Sequence, residues 1–180
     1  MYAPYVHDTA ITFETEPPPV EEIRRRIATV LAHAPWLVCE RDSRVFGYAY
    51  AGRFNVRAAY GWSVEVTVYV DRDRLRRGIG IGLYTALLGC LRVQGFRTAV
   101  GVITVPNPES VGLHERLGFA RAGVIPGLGW KHGQWRDVGW WHLALAERAA
   151  APPPPVALSA AIGDPRWQQA LTAGAALVRA

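Results

Sequence analysis

The stretch Arg74–Leu88, RLRRGIGIGLYTALL, sets glycines at 78, 80 and 82 just behind three arginines and ahead of an apolar helical pattern. Glycine lets a backbone approach a ligand closely, and the free amides at a helix start face anions along a favourable dipole. The spacing therefore suits the phosphates of a nucleotide or of another cofactor, and it equally suits a plain flexible loop. A P-loop is excluded, because no Gly-Lys-Ser/Thr follows the glycines. A dinucleotide turn fits poorly: the third glycine is not at its required spacing, and no acid stands about 20 residues on to hold a ribose. A second group lies in PNPESVGLHERLGF. On a helix, Asn107, Ser110 and His114 fall on successive turns and line one edge.

These residues need elements to place them. SVEVTVYV alternates strictly, with Val64, Val66, Val68 and Val70 on one face and Glu65, Thr67 and Tyr69 on the other. The glycine turn opens a helix that carries Leu83, Leu87, Leu88 and Leu91 on one stripe and ends at Gly95. RTAVGVITV reads as a nearly continuous apolar strand of a parallel sheet. The helix after it takes Asn107 as N-cap, Pro108 at its first position and Gly118 beyond its end. Upstream, EEIRRRIATVLAH spaces Ile23, Ile27, Val30 and Leu31 as one helix face, and WLVCERDSRVFGYAYAGRF reads as a hairpin turning at Arg41–Arg44. Runs on either side of KHGQW predict a long antiparallel hairpin to about Leu145. The expected fold is α/β, a mixed sheet containing one parallel crossover. APPPP at 151–155 stiffens the chain and closes the domain. The expected division is therefore residues 1–148 and a Pro-rich linker and tail, 149–180, with one helix in DPRWQQALTAGAALVRA.

The totals restrict the function classes. Half the 180 residues are apolar and 19% are charged, which excludes a disordered chain. No apolar run reaches the ~20 residues of a membrane span, and the N-terminus lacks the basic start and apolar core of a signal peptide. Cys39 and Cys90 have no metal-ligand spacing and are expected as reduced thiols of a cytoplasmic protein. The formal charge of +5 comes from scattered arginines, Lys131 being the one lysine, so the expectation is small anionic ligands rather than nucleic acid.

In its context the glycine turn resembles the acetyl-CoA-binding core of the GNAT N-acetyltransferase superfamily: TVYVDRDRLRRGIGIGLYTALL, then VITVPNPESVGLHERLGF. FETEP, AYGWSVEVTVYV, VPNPESVGLHERLGF and GWKHGQWRDVGWW narrow the resemblance to the phosphinothricin N-acetyltransferases, these four and the glycine turn making five blocks in order from about Tyr5 to Leu145. The resemblance implies the GNAT acyl-CoA N-acyltransferase fold, here without the first strand and most of the first helix that relatives carry. It also implies transfer of acetyl from acetyl-CoA, with no metal, to the amine of a small amino-acid-like substrate. Phosphinothricin, with herbicide resistance as the consequence, and methionine sulfoximine or sulfone are the candidate acceptors.

The resemblance also distributes roles. Amides around Arg76, Arg77, Gly78, Gly80, Ile81 and Gly82 would cradle the coenzyme A diphosphate. Aligned by Leu83-Tyr84, the place where the superfamily carries Arg or Gln holds Leu75. Backbone of Val68, Tyr69 and Val70 would pair with the pantetheine arm, and Asn107 and Ser110 would hold the cofactor. Glu65 matches the general base, needed because an amine is mostly ammonium near neutrality. Without the family, a lone acid in a strand reads as a surface or salt-bridge residue. His114 or Tyr69 would protonate the leaving thiolate. Phe13, Arg57, Tyr60 and Trp62 would bind the acceptor, Arg57 as the planar fork for a carboxylate or phosphinate. Asp137 would tie down the last hairpin. Related enzymes are homodimers, and the Trp-rich end would build core and dimer surface. Two other classes stay open: a non-catalytic acyl-CoA-binding module, and a peptide or protein acetyltransferase.

Overall fold

The computed structural model describes residues 1–179. Six strands form one sheet in the order β1-β2-β3-β4-β6-β5. β1 (Trp36–Arg41) and β2 (Arg44–Arg53) make a hairpin whose two turn residues, Asp42 and Ser43, take positive φ. This is the twist that tight hairpins favour. β2 pairs antiparallel with β3 (Ser63–Val70). β3 runs parallel to β4 (Thr98–Val105) through the crossover helix α3 (Ile79–Gln94). β5 (Ala120–Lys131) and β6 (Gln134–Ala144) close the far edge as a long hairpin turning at His132 and Gly133, with β6 beside β4.

The period-two pattern of β3 becomes two different faces. Val64 and Val66 face α3 and join Ala49, Ala51, Ala99, Ile103, Leu83, Leu87, Leu88 and Leu91 in the core. Burial of each large aliphatic side chain there contributes about 1.5–3 kcal/mol. Gly95 takes φ +92° and ends α3, with Phe96 N–H returned to Leu91 O. α4 (Pro108–Arg116) lies on the same face; the Asn107 side chain accepts from Ser110 N–H and Pro108 opens the helix, as the sequence pattern predicts.

The opposite face carries tyrosines instead of valines. α1 (Ala3–Asp8) and α2 (Val20–Leu31) flank it. α1 is a helix that periodicity did not assign, because six residues are too short to show a stripe. It is held by Tyr5, whose hydroxyl donates to Val70 O at 2.6 Å and whose ring meets Tyr69 edge-on. α2 buries none of its residues. It leans over the sheet through Arg26, which pairs with both Glu14 and Glu22.

Residues 149–179 fold back along α3 rather than projecting from it. Trp62 Nε1 donates to Pro153 O, and Val156 N–H donates to Gln94 O. α5 (Leu158–Ile162) follows, and α6 (Pro165–Ala175) packs on α3, with Trp167 buried against Cys90 and Ala161.

Candidate active site

The parallel ladder between β3 and β4 is only three pairs long: Ser63–Thr98, Val64–Ala99 and Glu65–Val100. Beyond Glu65 the strands part, β4 continuing on β6 and β3 on β2. A gap therefore opens inside the sheet. Alternate residues of a strand direct their peptide groups to the same side, so Val66, Val68 and Val70 share one orientation. Two of these carbonyls are met by tyrosine hydroxyls: Tyr84 donates to Val66 O at 3.1 Å and Tyr5 to Val70 O. Val68 lies between them. Its backbone groups have the position an extended amide-bearing arm requires.

Glu65 stands where the gap begins. Among the described residues its carboxylate makes no hydrogen bond or ion pair, and burial alone pushes its pKa above the ordinary carboxylate value. Its cross-strand partner is Gly52, beside whose Cα a side chain would meet nothing within 4 Å. The room beside this acid is thus built by the absence of a side chain. Further along the same face Trp36, Tyr48, Tyr50 and Tyr69 line a cavity of about 340 Å³ roofed by Ile23, Arg26 and Val30 of α2. Tyr69 belongs to this wall. Burial raises its hydroxyl well above the usual tyrosine value, and its ring packs against Tyr2, Tyr5 and Tyr48.

His114 is on the other face. Its Nδ1 lies 2.8 Å from Ser110 O, and a carbonyl only accepts, so Nδ1 carries the hydrogen and Nε2 is left as an acceptor. Burial lowers the imidazole pKa, opposed by that bond. The ring is therefore neutral near neutral pH. Nε2 stands 3.3 Å from the hydroxyl of Tyr84, a side chain only 1% exposed whose burial keeps its proton on. Gly101 of β4 makes this pair fit: any Cβ there would collide with the imidazole. Sequence reasoning used Tyr84 only as an alignment mark. Its role was invisible because a tyrosine in an apolar helical stripe looks like core.

The glycine turn has the form of an anion cradle. Arg76 takes φ +63° and Gly78 φ +78°, and Gly78 is the N-cap, so the amides of the first turn of α3 point out of the helix end. Gly80 faces Val70 and Leu113 at 3.6 and 3.4 Å, which places the turn at the far end of the gap. The residues present thus fit a diphosphate joined to a long amide arm: unpaired amides, a bare glycine surface, and an open strand edge leading to Glu65.

The proposed acceptor residues are more scattered. Phe13 lies against Gly129, where a Cβ would overlap its ring. Arg57 precedes the short turn Ala58–Tyr60, its N–H held by Asn55, and Tyr60 meets Phe54 edge-on. Trp62 gives its indole N–H to Pro153 O. No hydrogen bond or ring contact joins these four to one another. Asp137 accepts from Gly127 N–H and so ties the last hairpin together. Sequence reasoning also missed Lys131. It is buried, and its ammonium donates to Thr12 O and Glu14 O, fixing the loop that carries Phe13. Its being the one lysine of the chain was the available signal. Among the described residues no group of three or more His, Cys, Asp or Glu side chains could hold a metal ion, and no helix is long and apolar enough to cross a membrane.

Comparison with known proteins supplies the family of a chain built in this way. The acetyltransferase (GNAT) domain matches residues 1–140. The chain belongs to the GNAT acetyltransferase family. Within it, the chain is 43% identical over 152 residues to a phosphinothricin N-acetyltransferase of Streptomyces viridochromogenes, covering 84% of this chain and 82% of that one. It is 38% identical over 108 residues to an L-methionine sulfoximine/L-methionine sulfone acetyltransferase of Pseudomonas aeruginosa, covering 60% and 63%. A phosphinothricin acetyltransferase structure from Sinorhizobium meliloti, in complex with acetyl-CoA, superposes with a TM-score of 0.81 at 34% identity, covering 87% of this chain and 85% of that one. This GNAT chain is accordingly an acetyl-CoA-dependent N-acetyltransferase of the phosphinothricin acetyltransferase type.

Proposed function

We propose that the acceptor is a compact amino acid or amino-acid analogue, phosphinothricin or a methionine sulfoximine or sulfone among them, acetylated directly on its amino group. The observation that carries this reading is the half-buried Glu65 at the mouth of the gap, unpaired among the described residues, with open space opposite it and an open aromatic cavity further along the same face. Acetyl-CoA supplies the thioester carbonyl. Glu65, as base, takes the ammonium proton, directly or through a water, and burial raises the carboxylate's pKa, which makes it a stronger base than an exposed one. The amides from Gly78 to Ile81 hold the diphosphate, with Arg76 and Arg77 adding positive charge, while Gly82 N–H is given to Gly78 O and closes the turn; Val68–Val70 backbone, Asn107 and Ser110 hold the rest. On the far side of the gap Tyr84, its one proton given to Val66 O, supports the His114 ring, and His114 or Tyr69 assists the return of a proton to the leaving thiolate. Tyr69 shapes the acceptor cavity. Arg57 receives the acceptor's carboxylate or phosphinate.

The same reading takes the enzyme as a cytoplasmic homodimer that confers phosphinothricin resistance. The dimer is supported by the β5–β6 edge, where Trp130 and Trp135, in edge-to-face contact, are 57% and 66% exposed and Ile125 and Leu128 are exposed on the same strand. Such a contiguous apolar patch favours a partner surface. A thiol-release assay over free amino acids, phosphinothricin, the methionine analogues and peptides tests the function. Consumption of acetyl-CoA with one or more small amines, above that with peptides, is the expected result. Binding without turnover, or a preference for peptides, overturns it.

A further inference from the structure

The family match ends at residue 140, yet the residues beyond it reach the cofactor turn. α6 docks on α3 through small residues on both sides. A Cβ on Gly82 would lie 2.7 Å from Gly174 O and 2.9 Å from Val178, one on Gly89 would lie 2.6 Å from Ala170, and one on Gly174 would overlap Gly82 O. The two backbones therefore meet with nothing larger than a methyl group between them along Gly82, Ala86 and Gly89. Past α6 the chain turns onto the glycine turn itself. Arg179 N–H donates to Arg77 O at 2.8 Å, Leu177 O fills the space a Cβ would take on Gly78, and Val178 packs on the main core. Both left-handed residues of the turn, Arg76 and Gly78, flank the residue whose carbonyl is held in this way. Such conformations persist only when surrounding structure over-determines them. Gly80 faces the opposite way, toward Val70 and Leu113. The tail thus backs the turn and leaves its ligand side open.

We propose that α6 and Leu177–Arg179 form a brace that sets the geometry of the Arg76–Gly82 turn, so that affinity for acetyl-CoA depends on a segment far from the acid–base step. The inference rests on the cradle reading above, and the test separates the two. Calorimetric acetyl-CoA titration and steady-state kinetics would compare the full chain, a chain ending at Ala176, a chain ending at Asp164 and the full-length variant Gly174→Val. Removing only 177–180 leaves α6 docked and should raise the Kd and KM for acetyl-CoA about tenfold through lost preorganisation. The kcat at saturating acetyl-CoA and the KM for the amine should stay within about twofold. Gly174→Val, which levers α6 from Gly82, should weaken acetyl-CoA at least as much. A tail that merely adds stability would instead lower the melting temperature and the active fraction while leaving the Kd of folded protein unchanged, and that result overturns the brace. If the chain ending at Asp164 does not fold, the chain ending at Ala176 decides. Failure of the full chain to bind acetyl-CoA overturns the cradle and the brace together. Tight binding that the Ala176 truncation leaves untouched overturns the brace alone.

Discussion

The two faces of the sheet are built by opposite rules. On the α3 face, glycines and alanines bring backbones into contact: a Cβ on Gly47 would lie 2.8 Å from Ile79, and Gly101 has room only for the imidazole of His114. Its outer helix, α6, is locked to α3. On the other face, Tyr48, Tyr50 and Tyr69 stand off the strands, a cavity remains, and the outer helix α2 is at most half-buried, at Ile23, Arg26, Ile27 and Val30. One strand, β3, feeds both faces through its alternation. On the proposed reading, the dense and preorganised face serves the one fixed cosubstrate, and the open face, lined with large rings, serves the more variable amine.

The sharpest way to break this comparison is Glu65→Gln. With the base removed, kcat should fall about 10²–10⁴-fold while acetyl-CoA affinity, set on the other face, stays unchanged. Wild-type kcat/KM should rise with pH through a pKa above the ordinary carboxylate range, and the variant should lose that rise. Stability should move the other way. A carboxyl whose folded pKa is raised favours folding below its unfolded pKa and loses that contribution as pH rises through the folded value. Glu65→Gln should therefore melt higher than wild type at pH 8, the gap closing near pH 4.

Tyr84→Phe comes next. It leaves Val66 O without its donor and His114 Nε2 without its neighbour, so stability should fall by about 1–3 kcal/mol by denaturant melts. Its kcat should fall about tenfold. Full activity in this variant would remove Tyr84 from the support of His114.

A matched pair of methyl groups tests the packing contrast directly. Gly101→Ala forces a Cβ into His114 and should cost about 1–3 kcal/mol. In a chain of this size that lowers the melting temperature about 2–4 °C per kcal/mol. Gly52→Ala enters open space and should be neutral or stabilising by up to about 1 kcal/mol, yet raise the KM for the amine by narrowing the room left for it beside Glu65. Equal destabilisation by the two would erase the distinction between the faces. The smallest effect should come from Lys131→Met, which keeps the side-chain bulk but frees the Thr12 and Glu14 carbonyls. A severalfold rise in KM for the amine, with kcat and acetyl-CoA binding unchanged, is expected from the loosened Phe13 loop.

The cofactor side was the more legible in sequence, for a physical reason. Glycine spacing, an Asn-x-x-Ser cap and strict valine alternation are local devices, and each appears in the structure where periodicity puts it. The acceptor side depends on what crosses between elements. That Gly52 sits opposite Glu65 is a matter of register, and no local pattern in β2 announces it. Tyr84 meets His114 across 30 positions of chain, and Lys131 reaches Thr12 across 119. The tail is the extreme case. Its small residues look like an undistinguished Ala-rich helix until Gly82 and Gly89 are seen across from them.

Three rungs are all that join the left half of the sheet to the right. Mechanically this is a seam, able to flex where an ordinary sheet would be stiff, and whatever lies across it ties the halves together. A cosubstrate lodged there would therefore serve as a temporary structural member as well as a reactant. The resting enzyme should breathe along that line until loaded, with slower amide exchange in Val66–Val70 and a higher melting temperature once acetyl-CoA bridges it.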